Sequence, residues 1–206
     1  MDLDAVEVRV LGCLIEKQRT TPDAYPLTLN GLRTACNQST NRDPVVTYDD
    51  TMIRDALHRL GRRRWTRLAG AGRAAKYRHL LDENPGLKAD EQSVLAVLML
   101  RGPQTPGELR ARTERLHSFA DGAALQAVLE RLIDRGFAVR LARRPGQKEE
   151  RYEHLLSDQL PDTAPLPTPE VPPAVDDERL DRLERELEVL RAQVAELRRE
   201  LGLEDA

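Results

Sequence analysis

Among the side chains able to do chemistry, arginines dominate. Arg54 and Arg59, with His58 between them, fall on one predicted helix, and Arg62, Arg63, Arg64, Arg67, Arg73 and Lys76 follow on the segment after it. Guanidinium and ammonium groups at this density suit a polyanion, so the chemistry they suggest is a grip on phosphate. A second cationic run, Arg140, Arg143, Arg144 and Lys148, comes later in the chain. The polar stretch ACNQSTNRDPVVTYDD, residues 35–50, adds Gln38, Asn41 and Arg42. These three would project at the front of a domain and touch phosphate, a base edge or a partner. The same stretch also reads as a long turn, in which Asn37, Asn41 and Asp43 bond nearby backbone and Pro44 keeps Asp43 out of helix.

Other chemistries find less support. A hydrolase or transferase needs a nucleophile beside a base, paired carboxylates or a glycine-rich phosphate loop, and none stands at recognisable spacing. No enzyme activity, cofactor or metal is expected. Cys13 and Cys36 fall inside helical patterns and read as reduced core thiols. His58 and His117 are single, whereas His79 and His154 occupy matching places in a repeat and should make a structural hydrogen bond.

The net charge of −3 over 206 residues conceals an asymmetry. Residues 1–81 carry 14 Lys/Arg against 9 Asp/Glu, residues 82–156 carry 12 against 12, and residues 157–206 carry 6 against 14. The acidic start MDLDAVEVRVLG lacks the positive charge of a signal peptide, and no apolar run approaches the roughly 18 residues of a membrane span. A cytoplasmic protein without membrane contact is expected.

The elements that carry these residues recur. EVRVLGCLIEKQRTTP (Glu7 to Pro22) aligns with EQSVLAVLMLRGPQTP (Glu91 to Pro106) through the Glu, Val-Leu, a later Leu and the closing Thr-Pro, and KYRHLL (Lys76 to Leu81) is answered by RYEHLL (Arg151 to Leu156). A long unit seen twice means tandem domains. In the first, Val6, Val10, Leu11, Leu14 and Ile15 step as a helix, LTLNGLRTACNQ gives a second helix, and Ile53, Ala56, Leu57 and Leu60 form the stripe of a third. Asp49 or Asp50 caps that third helix and Gly61 ends it. RRRWTRLAGAGRAAKYRHLL then reads as a hairpin turning at GAG. The second unit predicts helices near Glu91 to Leu100, Pro106 to Leu116 and Ala123 to Arg135, with a hairpin turning at Pro145-Gly146.

Three helices and a hairpin make the winged helix-turn-helix order. The expected fold class is therefore mainly α with small β wings (α+β): two tandem winged helix-turn-helix domains, 1–83 and 84–156. A Pro-rich linker, 157–177, and a coiled-coil helix, 178–203, should follow. Six of the 13 prolines fall in that linker, which should be extended and semi-rigid. Leu180, Leu183, Leu187, Leu190, Val194, Leu197 and Leu201 step by 3 and 4 as an a/d seam. In a parallel homodimer the flanking pairs Arg179 with Glu184, Glu186 with Arg191 and Gln193 with Arg198 are free of repulsion. The competing arrangement is a helix folded back on its own domains.

The stretches Val10 to Pro44, LRGPQTPGELRARTERLHSF (Leu100 to Phe119) and RPGQKEERYEHLL (Arg144 to Leu156) resemble the YceH family of bacterial proteins. The resemblance covers nearly all of residues 4–156 and implies two tandem winged-helix domains. GRAAKY departs from a firm wing strand in lacking β-branched residues. The expected function is regulatory binding of double-stranded DNA by winged helices dimerised through the coiled coil. The rival is a protein-interaction module of the same build, favoured by acidic helix starts and a near-zero net charge. On the third helix of the second unit Gln126, Glu130, Arg131 and Asp134 are nearly neutral together, so the first unit carries most of the expected phosphate contact.

Overall fold

Asp4 opens the fold. Its carboxylate accepts from the Glu7 N–H at 2.8 Å and the Glu7 carboxylate accepts from the Asp4 N–H at 2.9 Å, satisfying two donors that a helix start leaves unpaired. The helix so capped, α1 (Ala5–Thr20), is buried continuously from Glu7 to Ile15. Burial on every face requires neighbours all round. They include α4 (Ala89–Arg101), itself buried from Glu91 to Leu100, which packs along α1. A Cβ at Gly12 would stand 3.0 Å from Leu100 Cδ2 and 3.2 Å from Met99 Cβ, so the absent side chain sets how closely the two helices approach.

The computed structural model describes residues 3–69, 75–143 and 149–157. Among them are six α-helices and two small antiparallel sheets. After α1 come a 3₁₀ turn (Pro22–Ala24), β1 (Leu27–Thr28), α2 (Leu29–Cys36), α3 (Asp50–Arg62), β2 (Thr66–Ala69) and β3 (Lys76–His79). The sheet order is β1-β3-β2, with Leu27 opposite Tyr77 and Thr66 opposite His79. After α4 come α5 (Pro106–Thr113), α6 (Gly122–Asp134), β4 (Ala138–Leu141) and β5 (Arg151–His154). Here a single bridge, Gln104 to Tyr152, stands where β1 meets β3 in the first half. One hydrophobic core runs through both halves, and Met1–Asp162 form one compact unit.

Several local expectations change. Leu27-Thr28, read as the start of a helix, is a strand, and Thr28 caps α2 by accepting from the Gly31 N–H at 3.1 Å. Thr105 caps α5 in the same way, accepting from the Glu108 N–H. Its counterpart is thus Thr28, and the Thr21-Pro22 match is a coincidence of spacing. Gly61 does not end α3, which runs to Arg62. The residue that turns the chain out is Arg64, at φ 60°; its counterpart is Gly136, at φ 70°. α5 stops at Thr113, short of Leu116, because the Thr113 hydroxyl and the following backbone N–H groups turn back on the last carbonyls. The proline-rich stretch beyond Ser157 and the leucine seam lie outside the described residues. No helix among the described residues is long and apolar enough to cross a membrane.

Candidate nucleic-acid interface

The third helix of the first half is built to show one ridge outward. Asp49 caps it, accepting from the Met52 N–H at 2.9 Å, and Ile53, Ala56, Leu57 and Leu60 face the core. On the outer side, residues four apart lie above one another, so Arg54, His58 and Arg62 form a single exposed line. No other described residue makes a hydrogen bond or ion pair with any of these three side chains. Together with Thr66, Arg67, Leu68 and Tyr77 they border a cleft of about 450 Å³ between α3 and the sheet. Leu68 is 63% exposed. Leu68 and Tyr77 are the residues of this face that sequence reasoning missed, because the alternation that would mark them is weak. Lys76 is exposed on β3, and Arg67 approaches Glu83 at 3.9 Å. Glu83 also takes Arg78. Arg63 is exposed at the end of α3.

Other expected contact residues are engaged internally. Arg59 bonds Asp4 and lies 3.5 Å from buried Glu7, pinning α3 to the start of α1. The second half repeats the device: Arg131 on α6 bonds Asp90 at 2.6 Å and lies 3.5 Å from buried Glu91. Arg42 does not project. Its side chain is fully buried, donating Nη1 and Nη2 to Glu16 at 3.0 and 2.6 Å, Nε to the Ala35 carbonyl at 3.1 Å and Nη2 to Gln38 Oε1 at 2.9 Å. Burial alone would raise the Glu16 carboxyl, but the bonds and charge of Arg42, with Lys17, outweigh it and hold the acid below its ordinary range. Gln38 also accepts from Lys17 at 3.3 Å, and Asn41 Oδ1 accepts from Arg101.

The polar stretch therefore has a structural duty in full view. Asn37 bonds both backbone groups of Tyr48 at 2.8 Å, buried Arg9 donates to the Cys36 and Pro44 carbonyls, and the Asp43 N–H donates to the Leu100 carbonyl at 2.8 Å. It rivets α1, α2 and α4 together. A loop arginine reads as solvated in a sequence; only the partner, Glu16, twenty-six residues earlier, makes it a core residue.

Arg143 is exposed and borders a shallow cleft with Arg140, Glu149, Glu150 and Gln126. Arg73, Arg144 and Lys148 lie outside the described residues. The matched histidines act alike: Nδ1 of His79 accepts from the Leu81 N–H and Nδ1 of His154 from the Leu156 N–H, both at 3.3 Å. Burial pushes each imidazole down to about 4. Cys13 and Cys36 are buried free thiols; the Cys36 thiol is pushed up by its hydrogen bond with Cys13 and then by burial, the reverse of what a nucleophile needs. Among the described residues no group of three or more His, Cys, Asp or Glu side chains is placed to hold a metal ion.

Comparison with known proteins places this framework. The profile of a family described as "Protein of unknown function, DUF480" matches residues 3–147. The chain belongs to that family. A UPF0502 protein of Pelobacter propionicus is 49% identical over 207 residues, covering 97% of this chain and 94% of the relative. A UPF0502 protein of Geobacter sulfurreducens is 48% identical over 197 residues, with 91% and 90% covered. A third, from Pectobacterium carotovorum, is 44% identical over 209 residues, with 97% and 96% covered. The DUF480 match thus covers the first half with its α3 ridge and the second half through β4.

Proposed function

We propose that this member of DUF480 binds double-stranded DNA through its first half, as a tandem winged helix-turn-helix protein dimerised by the C-terminal leucine seam. The observation that carries the reading is the ridge Arg54, His58 and Arg62, exposed on the outer side of α3 and without side-chain partners among the described residues. A winged helix offers that side of its third helix to the major groove while the hairpin touches backbone. Arg67 and Lys76 on the neighbouring strands supply the second point of contact. The element order, repeated in both halves, and the β1-β3-β2 sheet of the first half support the winged-helix assignment.

The test is a titration of the full chain with random-sequence duplex. About four phosphate contacts would weaken binding by roughly a hundredfold between 50 and 200 mM salt. Absence of binding at the lower salt rejects the reading. A protein-interaction role is favoured by a different observation, the exposed Glu130 and Asp134 on α6, which repel phosphate and suit a cationic protein surface. Binding that is indifferent to salt and needs no nucleic acid would support that alternative.

A further inference from the structure

A second cationic feature lies away from α3, where the two halves meet. Glu16 on α1, Asn41 of the polar loop, Leu100 and Arg101 at the end of α4, and Arg112 and Arg115 after the start of α5 enclose a cleft of about 200 Å³. It shares no lining residue with the cleft beside α3. Its charges do not cancel. The lone lining carboxylate, Glu16, is already committed to Arg42 and Lys17. Arg112 holds Glu108 only loosely at 3.7 Å, and Arg115 makes no hydrogen bond or ion pair with any described residue. Arg101 is half-buried, and among the described residues its one side-chain partner is the neutral Asn41 oxygen. Three guanidiniums gathered about one concavity repel one another, a cost that a bound anion would reverse. Burial first, and the charges of Arg112 and Arg42 next, already lower the proton affinity of Arg101.

We propose that this cleft binds a small phosphate-bearing anion, held by Arg101, Arg112 and Arg115 across the seam between the halves. Planar guanidinium forks match phosphate oxygens and deliver charge-assisted hydrogen bonds. The volume falls below the ~300–1,000 Å³ of pockets for drug-sized ligands, so the recognised group is compact, a phosphate or pyrophosphate. Asn41 comes from the first half and the arginines from the second, so the anion would add a third tie to the Asp43–Leu100 and Asn41–Arg101 bonds.

Calorimetric titration of the full chain with pyrophosphate and with inorganic phosphate, at low ionic strength, tests the site. Saturable one-to-one binding is expected, pyrophosphate the tighter. Arg115→Gln, which breaks no bond within the described protein, should weaken it about tenfold, and Arg101→Gln at least as much. Arg54→Gln should leave it unchanged, just as Arg115→Gln should leave duplex affinity unchanged, so this site and the α3 ridge stand or fall separately. Lack of saturable binding by either anion, or equal losses in Arg54→Gln and Arg115→Gln, would overturn the proposal.

Discussion

The outer faces of α3 and α6 present different chemistry on the same scaffold. Asp49 and Asp121 cap them identically. Arg59 and Arg131 pin them to Glu7 and Glu91, and Trp65 and Phe137 close their ends with the same backbone bonds, to the Leu60 and Leu132 carbonyls. Yet Arg54, His58 and Arg62 on one are replaced by Gln126, Glu130 and Asp134 on the other. Whatever the shared framework requires is repeated; what differs is the layer that packing does not constrain. The loop before each helix differs too, since thirteen residues, Asn37 to Asp49, separate α2 from α3 and only eight, Glu114 to Asp121, separate α5 from α6.

The sharpest way to break the comparison is to remove what only the longer loop provides. Arg42→Met leaves the half-buried Glu16 with Lys17 alone, at 3.4 Å, and empties a fully buried site, so it should cost about 3 kcal/mol, the low end for breaking a buried pair, read by urea unfolding. A change below 1 kcal/mol would mean that the loop is not the rivet described.

Next is acid stability, where the halves agree in one group and part in another. His79 and His154 sit at about 4 in the folded protein, below the ordinary histidine value of 6.5. The unfolded chain takes up protons first, so stability is full above pH 6.5 and falls as pH drops toward 4, by on the order of 3 kcal/mol for each histidine. Glu153, beside His154, moves the other way: burial pushes it up to about 7, so its contribution is present below the ordinary carboxylate value and is lost as pH rises through 7. Its counterpart in the first half is Arg78. Glu153→Gln should therefore steepen the acid limb between about pH 4.5 and 6.5, where the two trends oppose one another, and remove the decline near 7. Unfolding curves between pH 4 and 8 measure both limbs, and an unchanged profile in Glu153→Gln contradicts the assignment.

Smaller effects sharpen the contrast further. Glu130→Gln with Asp134→Gln should raise duplex affinity less than about threefold, because α6 is not the binding face. Arg64→Gly, which copies Gly136 into the first half, should stabilise by about 0.5–1 kcal/mol, since glycine takes φ 60° without strain. A loss of melting temperature in that variant would show the Arg64 side chain to matter more than its backbone.

Much of this architecture could be read from the sequence where a pattern extends over many residues. Ile53, Ala56, Leu57 and Leu60 announced α3 and its outer ridge together, since a stripe that faces the core fixes what faces away. Elements held by distant partners were hidden. β1 is two residues long and exists because β3 pairs with it, and Leu27 before Leu29 and Leu32 looks like helix. Arg42 and Arg59 look like contact residues for phosphate in the sequence because their carboxylate partners lie 26 and more than 50 residues away. The cleft at the seam needs four segments to meet, and no local signal marks it.

The central claim is that the α3 ridge itself meets phosphate. It is tested most directly by the slope of log Kd against log salt concentration for the wild type and for Arg54→Gln with Arg62→Gln. Two lost phosphate contacts should reduce the magnitude of that slope by about 1.8, with the melting temperature unchanged. A double variant that binds duplex with the wild-type slope would contradict the account.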